Sequence, residues 1–359
     1  MDRAPILVRT DASAAAGWEP FYQSLTYAAM LQRRRRPTYF MGQIEPFPLI
    51  SQTVRGGSDY LTAGAAIGTA EDCDETIREV RRLGASAVIV NAPGVQEEYL
   101  RELAATGATV VVIDSEAEVC FPNRLVINPL MGLTSKNYRC ESGTQLLLGR
   151  KYAMVRPVFR RQRAVRTHEP MNTEYRAIVA LGDDDQGGHS LPRTLELLNM
   201  SRIQKVTTMV RSHHHQLGEL KALASKHSTR LEVLTEPSEL GTRLPRAHFA
   251  VTGGCGLSLE FTCVGVPQLV MTQVDRHIAN AQKLHDEGAA TYLGDLRVVS
   301  ENNLRDAVNY LLDDELERVG MARCARNLVD GRGCDRIVNG LEFMLQSPID
   351  QPVSYRRAA

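Results

Sequence analysis

Short apolar runs alternate along the chain with longer stretches of helical period. In the first half, β-rich runs fall at 6–8, 38–41, 87–91, 109–113 and 125–127. Residues 72–83 and 95–105 carry an apolar stripe, and in the first of these Glu75, Arg78, Glu79, Arg81 and Arg82 stand at spacings that favour a helix. From 156 to 173 the period fails. Arg156-Pro157 is followed by Arg160, Arg161, Arg163 and Arg166 and then by Glu169-Pro170, so a linker is expected there. The second half restarts at 175–181, turns through a glycine-rich stretch at 182–188, and adds apolar runs at 205–210, 231–234, 249–252 and 268–272. Helical stretches at 301–312 and 335–345 precede a polar tail. Strand and helix in alternation predict βα units around parallel sheets. The expected organisation is a first βα domain over 1–159, a linker over 160–174, a second βα domain over 175–345 and a tail over 346–359. Open sheets of this kind bind ligands at the carboxyl ends of their strands.

The length of 359 residues agrees with two domains, and 43% hydrophobic residues suffice for two cores. Lys plus Arg and Asp plus Glu both number 42, a balance that disfavours general nucleic-acid binding, which draws its affinity from excess cations. The one basic run, Arg33-Arg34-Arg35-Arg36, follows Leu25, Ala28, Ala29 and Met30 and reads as a solvated helix end whose cations suit the helix dipole. Residues 6–8 read as a strand rather than as the core of a signal peptide, and no run reaches the roughly 20 apolar residues of a membrane span. Cys73, Cys120, Cys140, Cys255, Cys263, Cys324 and Cys334 are scattered and odd in number. They predict reduced thiols of a cytoplasmic protein, with neither a zinc site nor a disulfide framework.

The strongest candidate for chemistry is Thr252-Gly253-Gly254-Cys255-Gly256-Leu257-Ser258-Leu259-Glu260, followed by Gly265-Val266-Pro267 and an apolar strand. Three glycines after a strand let the backbone approach a ligand, and a helix starting near Leu257 offers free N–H groups to a diphosphate. Glu260, one turn inside, is placed to accept from ribose hydroxyls. The run Asp183-Asp184-Asp185 suits turn backbone N–H groups better than a magnesium ion, and its charge would repel a diphosphate. His213-His214-His215 point in different directions on any regular element, so no metal is expected there either. On the first domain, Asp11 follows the first strand and Glu19 lies on the loop after it.

Further motifs carry a resemblance. Asp275, Asn280-Ala281 and Glu287-Gly288-Ala289 follow the glycine segment at the spacing of the sugar-nucleotide half of MurG-like GT-B proteins. The stretch Leu148-Gly149-Arg150-Lys151-Tyr152-Ala153-Met154-Val155-Arg156-Pro157-Val158-Phe159 resembles the "LGxxYAxLRPEF" segment of one family within that group. That family contains the UDP-2,4-diacetamido-2,4,6-trideoxy-altropyranose hydrolase and the spore-coat polysaccharide protein SpsG. Ile6-Leu7-Val8-Arg9-Thr10-Asp11-Ala12-Ser13 is similar to its "ILFRADAS" start, and Asp330-Gly331-Arg332-Gly333 with Arg336-Ile337 to its "DGxGxxRI". The turn from Gly182 to Asp185 sits where the family carries "GGSD". The resemblance implies an α/β GT-B fold, two Rossmann-like βα domains facing across a cleft.

It also marks departures. Glu19-Pro20 fall where the family has Gly-His, and that histidine is its catalytic group; Gln23 replaces the arginine that follows. Asn91-Ala92-Pro93 stand for its "DHY", Cys255-Gly256-Leu257 for Gly-Ser-Thr, and Asp275-Arg276-His277 for "DNQ". Three functions therefore remain open. One is a hydrolase acting on a nucleotide-activated sugar, a UDP-sugar by the resemblance, in surface-polysaccharide or nonulosonate synthesis. The second is a glycosyltransferase with the same nucleotide site. The third is a binding or scaffold protein that keeps the fold without turnover. Under the enzyme readings the nucleotide contacts are Gly182, Arg211, Gly253, Gly254, Gly256, Ser258, Glu260, Asp275 and Asn280. Asp11 or Glu19 then serves as the acid–base group, with UDP or a UDP-sugar as the partner and no cofactor or metal.

Overall fold

The computed structural model describes residues 3–14, 16–122, 124–166, 174–183 and 185–346. It divides into two compact units. The first comprises 1–129, 133–152 and 333–359, and the second 130–132 and 153–332. The section of the expected linker at 167–173, Asp184 and the tail beyond 346 lie outside the described residues.

The first unit runs β1 Ile6–Arg9, α1 Glu19–Arg33, β2 Thr38–Gly42, α2 Pro48–Arg55, β3 Asp59–Thr62, α3 Ala70–Leu83, β4 Ala87–Val90, α4 Glu97–Ala104, β5 Thr109–Ile113, β6 Cys120–Phe121, β7 Leu125–Asn128, β8 Arg139–Cys140 and β9 Gln145–Leu148. Seven strands form one parallel sheet in the order β3-β2-β1-β4-β5-β7-β9, while β6 and β8 pair separately. The central strands β1, β4, β5 and β7 are buried on both faces, which is why they read as unbroken apolar runs. Helix α3 has matched ends. Thr69 accepts from the Asp72 N–H at its start, and Gly84 closes it at φ 60° in the left-handed region.

The second unit runs α5 Pro157–Val165, β10 Tyr175–Ala180, α6 Ser190–Leu198, β11 Ile203–Met209, α7 Leu217–Lys226, β12 Leu231–Leu234, α8 Pro237–Leu240, β13 Phe249–Thr252, α9 Gly256–Val264, β14 Gln268–Thr272, α10 Ile278–Asp286, β15 Thr291–Asp295, α11 Glu301–Asp313 and α12 Glu315–Leu328. Its six parallel strands lie in the order β12-β11-β10-β13-β14-β15. Counted from its own first strand this is the doubly wound order 3-2-1-4-5-6. The last helix, α13 Gly333–Gln346, belongs to the first unit and packs on α1.

Two expectations are corrected. The start of the linker, 160–165, is helical, because α5 begins at Pro157 and packs on α9. Two of the segment's arginines are donors to carbonyls: Arg163 Nη1 donates to Cys263 O (2.9 Å), and Arg166 donates to Gly265 O (2.9 Å) and Ala247 O (2.6 Å), while Arg161 is exposed. Nor is the 33–36 tetrad simply a solvated helix end. Arg36 is buried and makes a two-pronged pair with Glu342 of α13 (3.0 and 2.7 Å), and Arg34 reaches Asn339 (2.5 Å). Among the described residues no helix is long and apolar enough to cross a membrane.

Candidate functional site

In the second unit the glycine segment stands where the strand order reverses, at the carboxyl ends of β10 and β13. This is the crevice in which such sheets hold nucleotides. Gly253 is required by the close approach of the two strand ends, since a Cβ there would run into the Leu181 carbonyl. Gly254 adopts φ 75° and faces Thr272, Val270 and Ala281 too closely for a side chain. Gly182, at the end of β10, faces Cys255. Gly256 opens α9, and Cys255 at the cap makes no side-chain capping bond to the first turn. That end of the helix directs its dipole at the crevice, and the Ser258 N–H of its first turn bonds to the Cys255 carbonyl (3.0 Å).

The neighbouring predicted residues have structural partners. Ser258 is buried and its hydroxyl accepts from the Gly254 N–H (3.0 Å). Asn280, also buried, donates to the Gly254 carbonyl (2.7 Å) and accepts from the Met131 N–H (2.9 Å), so it fixes the shape of the glycine loop. Glu260 does not offer a vacant carboxylate. One oxygen accepts from the Arg156 N–H (2.9 Å) and Nε (2.7 Å), and the other pairs with Arg156 Nη2. Arg156 also lies over the Phe159 ring, 4.7 Å from its centre. A ribose would have to share Glu260 with this arginine. Asp275 begins a short 3-10 turn after β14 and is exposed.

The acidic turn is also partnered. Arg211 donates to both oxygens of Asp183 (2.5 and 3.0 Å), so the predicted ligand arginine neutralises the turn. Asp185 is buried at the start of α6, where its oxygens accept from the His189 N–H (2.7 Å) and the N–H and hydroxyl of Ser190 (2.8 Å for the N–H). His214 Nε2 lies 2.9 Å from Asp185 O and 3.3 Å from its carboxylate, while His214 Nδ1 accepts from the Gln216 N–H (3.2 Å). The acceptor role of Nδ1 assigns the proton to Nε2. Burial pushes the Asp185 carboxyl up, but the bonds from His214 and Ser190 outweigh it and hold the group below its ordinary range. Burial would likewise lower His214, yet the aspartate raises it. The repulsion expected between this turn and a diphosphate is thus reduced at Asp183, which pairs with Arg211, while Asp185 has its oxygens turned onto the start of α6 and His214. Among the described residues no three His, Cys, Asp or Glu side chains are grouped to hold a metal.

In the first unit the equivalent reversal lies between β1 and β4. Asp11 is there and almost fully buried. It accepts from Arg9 (2.5 Å), the Gln43 N–H (2.9 Å) and the Ile67 N–H (3.0 Å). Arg9 is wholly buried and also pairs with Asp72 (2.6 Å), which in turn takes the Tyr99 hydroxyl (2.8 Å) and the Gly68 N–H (3.0 Å). Desolvation lowers Arg9, but Asp11 and Asp72 raise it further, so the guanidinium stays charged in the core. Glu19 is the first residue of α1, half-buried, with the Gln23 amide donating to it at 3.3 Å. Asn91, in the place of the family's "DHY", donates to Pro20 O (2.7 Å) and Ser24 Oγ (3.0 Å) and ties the start of α1 to the end of β4. Arg9, Asp72 and Arg156 are not among the site candidates of the sequence, and Asn91 enters there only as a departure from "DHY". A charged residue inside the apolar run of β1 was the available signal for Arg9.

Two doubly wound units of this connectivity define an α/β, two-domain GT-B fold. Solved structures agree with it: MurG of Acinetobacter baumannii matches with a TM-score of 0.65 and 14% identity, over 95% of this chain and 100% of that one. The spinosyn rhamnosyltransferase SpnG, solved with thymidine diphosphate, matches at 0.60 with 16% identity, over 94% and 100%. At the level of sequence, the chain resembles the spore coat polysaccharide biosynthesis protein SpsG of Bacillus subtilis (strain 168), with 24% identity over 286 residues, 76% of this chain and 81% of that protein. No family model matches the chain.

Proposed function

We propose that this chain uses a nucleotide-activated sugar in polysaccharide biosynthesis, with a UDP-sugar as the substrate and either water or a second sugar as the acceptor. The observation that carries the reading is the start of α9, brought by Gly253-Gly254-Cys255-Gly256 to the reversal of the strand order at the carboxyl ends of β10 and β13. The part that SpsG takes in polysaccharide biosynthesis by its name and the thymidine diphosphate held by SpnG point the same way. In this reading Gly182, Gly253, Gly254 and Gly256 bring main chain to the diphosphate, and Ser258 and Asn280 hold the loop in shape. Arg211 and Asp275 flank it, and Glu260 meets the ribose by exchanging part of its bond to Arg156. On the first unit, Glu19 is the acid–base candidate that the packing favours. Asp11 already serves three donors and is better suited to holding the loop.

Thermal unfolding of the full chain with UDP and with UDP-N-acetylhexosamines tests the nucleotide site. A saturating ligand is expected to raise Tm by several degrees. No rise with either ligand overturns the reading. Given binding, release of free UDP from the UDP-sugar is expected, and Glu19→Gln should slow it by about a hundredfold or more if Glu19 transfers the proton. Binding without release would favour the scaffold reading. That reading has its own support in Pro20 at the position of the family's histidine and in the full engagement of Asp11.

A further inference from the structure

The amino-terminal ends of the second unit's strands carry an unassigned basic cavity, six residues down β10 from Gly182 and therefore about 20 Å from the glycine loop. Alternation along the strands places Arg176 and Ile178 of β10, Lys205 and Thr207 of β11 and Glu232 of β12 on one face. The register sets Arg176 directly beside Lys205. Like charges on neighbouring strands repel, so this pairing is unfavourable unless an anion answers it. The segment at 242–247 adds Thr242, Arg243 and Arg246, and together these residues enclose roughly 340 Å³.

The charges present do not balance. Glu232 accepts from Arg243 (3.0 Å to Nε) and sits 3.3 Å from Lys205, while Arg176 pairs with the exposed Glu174 (3.0 Å). Among the described residues, four cations therefore meet the two carboxylates bonded to them, and a formal surplus of one positive charge is left even when Glu239, which acts on Arg243, is counted. The cations keep solvent access, with 37% of the Arg176 side chain, 41% of Lys205 and 40% of Arg243 exposed, so a solute can reach them. Guanidinium forks and threonine hydroxyls at the rim, with the Ile178 side chain on the sheet face, match a small molecule bearing a dianionic group. We infer that this cavity is a second ligand site, for a phosphate ester or diphosphate of small-metabolite size, separate from the crevice at Gly253–Gly256.

Titration calorimetry of the full chain with inorganic pyrophosphate, at constant ionic strength set by NaCl, tests it. Arg246→Ala and Arg176→Ala should each weaken binding about tenfold or more, as expected for loss of a charge-assisted bond. Arg246→Lys, which keeps the charge but not the fork, should recover part of the affinity, which separates loss of the anion contact from loss of folding. Three outcomes overturn the inference. The first is no binding at millimolar pyrophosphate. The second is unchanged affinity in both arginine variants, which would put the anion elsewhere, the glycine loop included. The third is equal competition by chloride or sulfate, which would mark diffuse attraction without a site.

Discussion

Glu260 shows how a residue at the position of an expected ligand contact can be engaged within the chain itself. It lies one turn inside α9, where a ribose hydroxyl would find it, but its two oxygens are taken by the main chain and fork of Arg156. The carboxylate is 3% exposed, so removing its charge leaves a half-buried guanidinium without its counter-ion. Glu260→Gln is therefore expected to lower unfolding free energy by about 3 kcal/mol, read from urea denaturation. The Tm rise caused by UDP should survive in that variant, because the main-chain contacts to the diphosphate remain. An unchanged unfolding free energy would mean that the Arg156 pair contributes nothing net. The identity of such residues was legible in the sequence, whereas their partners were not. Asp11, Glu260 and Asp183 were recognised as acids near a ligand site, yet the donors that occupy them, Arg9, Arg156 and Arg211, reach them only through the folded chain. The arginine of the "RP" motif gains its physical meaning only from that contact.

At the scale of elements, three of the five described strands missed by the apolar pattern share one property. Asp59–Thr62, Gln145–Leu148 and Thr291–Asp295 are the edge strands β3, β9 and β15, each partly exposed. An edge strand has water on one side, so its residues need not be apolar and its period is lost among loops. The interior strands, covered on both faces, were readable to within a residue or two. Helix α5 was missed for a related reason: its arginines serve the carbonyls that end α9, a use that composition cannot distinguish from a solvated linker. The contact of α1 with α13 rests on Arg36 and Glu342 and yields a pH prediction. Burial pushes the Glu342 carboxyl up, but Arg36 and Arg3 outweigh it and hold the group below its ordinary range. The folded state thus binds the proton less readily than the unfolded one. The stabilisation from the pair is complete above the ordinary glutamate range and fades as pH drops through the lowered folded value. Native chain and Glu342→Gln should differ by about 3 kcal/mol at neutral pH, and the gap should narrow progressively as pH falls below about 4. Denaturant titrations at both pH values check this; a gap independent of pH would assign the loss to packing rather than charge.

At the scale of the whole molecule, the order of the chain and the membership of its units differ at the end. The expected second domain ran to 345, but α13 packs on α1, and only 130–132 and 153–332 group as the second unit. A helix at 335–345 was visible from its period, yet period does not say which sheet a helix covers. The resemblance at Asp330-Gly331-Arg332-Gly333 marks the turn from α12 into α13, where the chain leaves one unit for the other. The consequence is testable by ending the chain at Arg332. Ile337, Val338, Leu341 and Met344 of α13 are all buried, and at about 1.5–3 kcal/mol for each such side chain their loss removes roughly 6–12 kcal/mol. That is comparable to the total stability of an ordinary domain. The truncated chain should therefore lose hydrogen-exchange protection across β1, β2 and β4 while β10, β11, β13 and β14 stay protected. Equal loss in both sets of strands, or loss confined to the second set, would show that α13 does not complete the first unit.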